Sequence, residues 1–132
     1  MPKKIFTPKE ANQRLPLVKK IVRDILDKGH ALRGLIKKVG NDDTSADLEL
    51  LQVEIEALIG ELEALGCYYK DWNFDIGLVD FPAIINNKEV FLCWRSDEPQ
   101  VRWYHRIHDG YSGRKPIPEE LLDIHSKTPA SL

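Results

Sequence analysis

The most informative segment of the chain is LVDFPAIINNKEVFLCWR, residues 78–95. Two runs rich in β-branched and aromatic residues flank Asn86-Asn87, a dipeptide that tolerates the positive φ angles of a two-residue hairpin turn. A turn of that length pairs Ile85 with Lys88 and predicts strands over residues 78–85 and 88–95. Alternation then directs one set of side chains toward the core, namely Val79, Phe81, Ala83, Ile85, Val90, Leu92 and Trp94.

The opposite face of this hairpin is partly polar. It holds Asp80 directly across from Cys93 and diagonal to Arg95. Pro82 cannot donate a hydrogen bond to a neighbouring strand, so we expect its strand to lie at a sheet edge or to bend. The remaining members of this face are Leu78, Ile84, Glu89 and Phe91.

Two further strands are predicted around the hairpin. Residues 67–72 form the first, and residues 101–107 form the last. If Arg95 pairs with Val101, the side chain of His105 lies on the polar face of the sheet. A shift of one residue would send it to the other face.

Residues 7–66 predict an antiparallel helical hairpin. Thr7 and Glu10 form a capping box with a proline at the first helical position. Because Pro16 cannot donate to the preceding turn and disfavours a helical Leu15, we expect a short opening helix, a break or kink, and a long second piece.

The apolar residues of both helices follow the heptad spacing of a coiled coil. In the first helix they are Val18, Ile21, Ile25, Leu32, Leu35 and Val39, with Lys28 as an interruption. In the second they are Leu48, Leu51, Ile55, Leu58, Leu62 and Leu65, and Gly66 sits where a left-handed cap belongs. The apolar stripe is wide enough to cover the sheet or to join two copies, and we favour a homodimer through the helices.

Charge is strongly segregated along the chain. Residues 1–40 carry eleven Lys/Arg against three Asp/Glu, whereas residues 41–66 carry eight Asp/Glu and no Lys/Arg. Neighbouring helices of opposite charge are partners for each other. With a net charge of −2, this pattern argues against nucleic-acid and membrane binding.

The length and the predicted elements indicate one α+β domain over residues 1–132, a long helical hairpin with a kinked first helix packed on a small antiparallel sheet. The sheet spans residues 67–107, and residues 108–132 form a loop and C-terminal tail. Two cysteines without CxxC spacing argue against a disulfide framework and a structural zinc site. No apolar run has membrane-spanning length and no signal peptide is evident, so we expect a cytoplasmic protein.

Seven residues of the sheet and the following loop form the candidate ligand-binding site. An Asp/His pair can perform acid/base chemistry, and arginines or a glycine-rich loop can hold an anion. A simpler interpretation is a cross-strand ion pair between Asp80 and Arg95, with His105 satisfied by a strand-end or loop carbonyl. The candidate residues are Asp80, Arg95, Trp103, His105, Asp109, Tyr111 and Arg114.

A divalent metal is a further hypothesis for this region. Its ligands would be His105, His108 and Asp109, with Cys93 or His125 nearby. A turn is needed to bring the two histidines to one side, because a continuous strand would place them on opposite faces. The alternative is two exposed loop histidines.

Several ordered blocks of the chain resemble domain-of-unknown-function family 2203, a bacterial family. The blocks are GLVDFPA at 77–83, LCWR at 92–95, WYH at 103–105 and GYSGRKP at 110–116, with residues 6–16 also fitting. The resemblance implies a small prokaryotic cytoplasmic protein with a helical hairpin and a sheet, and it carries over no catalytic residue. Asp97-Glu98 departs from the Gly-Glu turn expected there.

Two functional hypotheses remain open at this point. The first is a noncatalytic interaction module or a module that binds a small anionic ligand. The second is a small metal-assisted hydrolase or transferase that uses His105, Asp80 or Asp109, and Arg114. The enzyme requires these groups to converge in a concave pocket, whereas a binding module requires only a shared exposed face.

Overall fold

A computed structural model of the chain describes residues 4–37 and 45–122, with Ser45 described in its backbone only. Two helices, α1 (Pro8–Lys37) and α2 (Ser45–Ala64), precede a five-stranded antiparallel sheet. Its strands follow one another in sequence order: β1 (Tyr68–Tyr69), β2 (Leu78–Ile85), β3 (Lys88–Arg95), β4 (Trp103–Arg106) and β5 (Lys115–Pro116). A 3₁₀ turn spans Tyr111–Gly113, and residues 119–122 are helical. The predicted α+β class is confirmed.

The start of α1 has the predicted capping box. The amide N–H of Thr7 donates to Glu10 Oε1 at 3.0 Å, and the amide N–H of Glu10 donates to Thr7 Oγ1 at 3.1 Å. α1 then continues through Pro16 as one helix, so the expected separate opening helix is wrong. Leu15 and Val18 are buried on either side of the proline, and their packing outweighs the one hydrogen bond that Pro16 removes.

The helices pack through the heptad residues and through opposite charges. Val18, Ile25 and Leu32 of α1 are buried in one core with Ile55 and Leu62 of α2. Lys28, which interrupts the apolar pattern, pairs with Glu54 across the helices, 3.1 Å from Nζ to Oε1. The helix-to-helix turn, Val39 and His125 lie outside the described residues.

Gly66 ends the second helical segment in the predicted left-handed conformation, with φ of 96°. Its N–H donates to the carbonyl of Glu63 at 2.9 Å, and the N–H of Cys67 donates to the carbonyl of Leu62 at 3.1 Å. These two bonds are the Schellman pattern, which satisfies the last helical carbonyls. The chain therefore turns directly from α2 into the sheet.

The β2–β3 hairpin has the predicted boundaries and register. Asn86 and Asn87 have φ of 53° and 65°, and Ile85 pairs with Lys88. β1 pairs only with Val79 and Asp80, so Pro82 lies beyond its end, where the Pro82 carbonyl accepts the N–H of Phe6 at 2.7 Å. Every residue predicted for the core face is buried: Val79, Phe81, Ala83, Ile85, Val90, Leu92 and Trp94.

The other strands differ in length from the expectation. β1 is two residues long because the Asp71 carboxylate accepts the N–H groups of Asp75, Ile76 and Gly77, at 2.8, 2.7 and 3.1 Å, and folds this segment into a loop. β5 lies in the segment expected to be a loop. Two residues that include a proline leave no alternating pattern from which this strand could be predicted.

β4 begins at Trp103, later than predicted, because Asn12 of α1 binds the backbone of Val101. The side-chain amide of Asn12 donates to the Val101 carbonyl at 3.1 Å and accepts the Val101 N–H at 2.7 Å. Val101 therefore satisfies its backbone on α1 and stays outside the ladder.

The outer face of α2 exposes Leu50 and Val53. The homodimer through the helices stays a prediction.

Among the described residues, no helix combines the length and apolar character that a membrane span needs.

Gly29 provides a test of the contact between α1 and the β1–β2 loop. A methyl group added at Gly29 would overlap the ring of Phe74, whereas at Gly34 it would meet no atom within 4 Å. We expect Gly29→Ala to lower the free energy of unfolding by about 1–3 kcal/mol through overpacking. Gly34→Ala should raise it by up to ~1 kcal/mol through helix propensity. Urea denaturation of both variants is the measurement, and equal stabilisation by the two would contradict the described contact.

Candidate functional site

A pocket of about 230 Å³ opens on the face of the sheet opposite the helices. The antiparallel register builds its floor, because Asp80 pairs with Cys93 and His105 pairs with Phe91. The pocket is lined by Lys70, Leu78, Asp80, Phe91, Cys93, His105, Ile107, Gly110 and Tyr111.

Three side chains of the floor are almost fully buried. Asp80, Cys93 and His105 have exposed fractions of 4%, 1% and 3%. Larger clefts, of about 550, 650 and 320 Å³, are lined by other parts of the chain. None of them contains a buried titratable side chain, so the pocket of about 230 Å³ is the better candidate for a specific site.

His105 is held by two hydrogen-bond acceptors. Its Nδ1 lies 2.7 Å from the Arg106 carbonyl oxygen, and its Nε2 lies 3.2 Å from Asp80 Oδ1. Burial by itself lowers the pKa of His105. The hydrogen bonds to Asp80, Cys93 and the Arg106 carbonyl, together with the negative charge of Asp80, outweigh burial and raise that pKa to about 10. The ring is therefore an imidazolium that donates from both nitrogens at neutral pH.

Cys93 completes a group of metal-ligand types with Asp80 and His105. One ligand atom from each of these residues lies within 4.8 Å of the other two, and no other such group occurs in the part of the chain that the structure describes. The expected ligand set of His105, His108 and Asp109 does not converge in this way. His108 is exposed, and Asp109 Oδ2 accepts from Arg106 Nε at 2.8 Å.

The two candidate arginines lie beside the pocket and are already bound to carboxylates. Arg95 Nε donates to Asp97 Oδ1 at 2.6 Å, and Asp80 instead pairs with His105, so the ion pair of the alternative interpretation does not form. Arg114 Nη2 donates to Glu98 Oε1 at 2.7 Å and to the Cys93 carbonyl at 3.0 Å.

Arg114 also holds the aromatic rings at the pocket edge. Its guanidinium lies 5.0 Å from the ring centroid of Trp103 and 4.9 Å from that of Tyr111. Arg95 donates to the Tyr111 hydroxyl. Of the seven predicted site residues, three line the pocket, namely Asp80, His105 and Tyr111. The other four support the pocket or lie outside it.

Lys70 and Cys93 line the pocket but are not among the seven predicted site residues. The predicted pairing of Cys93 with Asp80 was the signal for Cys93. Lys70 had no such signal, because it follows a strand of only two residues.

The ion pair between Arg114 and Glu98 can be tested by substitution. Their side chains are 11% and 15% exposed, whereas Asp97 is 56% exposed. We expect Glu98→Gln to lower the free energy of unfolding by about 2–3 kcal/mol, because it leaves a mostly buried guanidinium without its counter-charge. The matched change Asp97→Asn should cost less than about 1 kcal/mol. Urea denaturation measures both, and similar losses would show that Glu98 has no special role.

Comparison with known proteins gives one match. The model of a family described as "Uncharacterized conserved protein (DUF2203)" matches residues 4–117. Searches of curated proteins and of solved structures find no significant match. The matched region contains both helices, all five strands and every residue of the pocket.

Proposed function

The chain belongs to the DUF2203 family, and we propose that it is a noncatalytic module that binds a small anionic ligand in the pocket of β2, β3 and β4. The proposal extends to the bacterial cytoplasm. The family resemblance implies that location, and Cys67 and Cys93 are both free thiols, as is usual in a reducing compartment.

Lys70 is the observation that carries this proposal. It lines the pocket, and its Nζ lies 5.8 Å from the ring centroid of Phe91. No carboxylate forms an ion pair with Lys70 among the described residues, whereas Arg95, Arg106 and Arg114 each have one. Lys70 is therefore a cation at the pocket that is available for an external anion.

Tyr111 supplies a second donor to the pocket. Its hydroxyl oxygen accepts from Arg95, so its own O–H remains to donate to a ligand. The remaining walls include the apolar side chains of Leu78, Phe91 and Ile107.

These groups limit the class of ligand. The volume of about 230 Å³ is below the range of pockets for drug-sized molecules, roughly 300–1,000 Å³. A ligand with one phosphate or carboxylate group and a short apolar part fits the pocket.

The alternative, a metal-assisted hydrolase or transferase, has weaker support. Arg114 and Asp109 do not line the pocket, and each is bound to a neighbouring side chain. Both nitrogens of His105 have partners, so neither is left to take a proton from Cys93, as a nucleophilic relay would require.

Titration of ¹⁵N-labelled protein with inorganic phosphate and with acetate tests the binding proposal. We expect saturable shifts of the Gly110 and Tyr111 amide signals with at least one of the two anions. Lys70→Met should weaken that binding at least about tenfold, because it removes the only unpaired ammonium of the pocket among the described residues.

The matched control is Lys20→Met, which changes an exposed lysine of α1 that lines none of the described pockets. This variant should bind like the wild type. Equal affinity of Lys70→Met and the wild type, or no saturable shift with either anion, would contradict the proposal.

A further inference from the structure

The buried floor of the pocket combines three different ligand chemistries. Asp80 offers a carboxylate oxygen, Cys93 a sulfur and His105 an imidazole nitrogen, all within 4.8 Å of one another. The ligand atoms of a tetrahedral zinc site lie about 3.3–3.8 Å apart, given bond lengths of about 2.0–2.3 Å. Asp80 Oδ1 and His105 Nε2 already lie 3.2 Å apart, so small movements of the side chains would complete the geometry.

His105 has the orientation of a metal-binding histidine. Its Nδ1 faces the Arg106 carbonyl at 2.7 Å, and a carbonyl can only accept, so Nδ1 carries a proton. Metal-bound histidines commonly donate their second nitrogen to a carbonyl or carboxylate, which fixes the tautomer. Nε2 faces Asp80, and an ion bound to Nε2 would replace the hydrogen bond between these two side chains.

We propose that Asp80, Cys93 and His105 bind one divalent transition-metal ion of the zinc type, with a fourth coordination position open to the pocket. Zinc accepts nitrogen, sulfur and oxygen ligands together, and three protein ligands with one open position is the arrangement of sites that bind an exogenous molecule. The proposal is independent of Lys70 and of the binding of phosphate or acetate.

Titration of the chelator-treated full chain with Co²⁺ under reducing conditions tests this site without a histidine tag. The wild type should bind one equivalent and show both the charge-transfer absorption of a cobalt–thiolate bond and the visible bands of tetrahedral cobalt. Absence of the thiolate absorption in the folded wild type would overturn the proposal without the need for any variant.

Variants then identify the ligands. Cys93→Ser should abolish the thiolate absorption, and Asp80→Asn, which keeps the side-chain shape, should weaken Co²⁺ binding at least about tenfold. Cys67→Ser is the matched cysteine control, because Cys67 is also buried and free, and it should keep the absorption. Loss of the absorption in Cys67→Ser but not in Cys93→Ser would overturn the assignment.

Two further variants separate this site from the other hypotheses. His108→Ala should leave Co²⁺ binding unchanged, and a tenfold loss there would instead favour His105, His108 and Asp109 as ligands. Lys70→Met should also retain the cobalt spectrum. A normal cobalt spectrum without anion binding would contradict the proposed function alone, and anion binding without a cobalt–thiolate band would contradict the metal site alone.

Discussion

The register of the β2–β3 hairpin is the constraint on which both the core and the pocket depend. Asn86 and Asn87 adopt positive φ and allow a two-residue turn, which pairs Ile85 with Lys88. Because side chains alternate between faces, a slip of one residue would move Phe81 out of the core and bring Asp80 into it. The turn thus determines which side chains meet the helices and which form the pocket floor.

Features that depend on backbone periodicity or on a known capping motif could be predicted from the sequence, and features that depend on other side-chain hydrogen bonds could not. The hairpin and the pairing of Asp80 with Cys93 follow from alternation alone. The short β1 and the late start of β4 depend instead on Asp71 and Asn12, whose side chains bind backbone groups several or many residues away. The uninterrupted α1 likewise results from tertiary packing that outweighs a local rule.

The same distinction applies to the candidate site. The predicted register brought Asp80 and His105 to one face, where their side chains now meet at 3.2 Å. The partners of Arg95 and Arg114 lie in the turn after β3, and strand alternation says nothing about side chains in a turn. Once those carboxylates neutralise the arginines, the remaining polar groups of the pocket are the buried floor, the Tyr111 hydroxyl and Lys70.

The meander topology affects how the pocket is assembled. Each strand pairs with the next strand in the sequence, and all the residues that line the pocket come from residues 70–111. Joining such neighbours requires only short loops, whose closure costs little chain entropy, and folds rich in local pairings have low contact order. Assembly of the pocket therefore involves none of the long crossovers that slow the folding of many β-rich proteins.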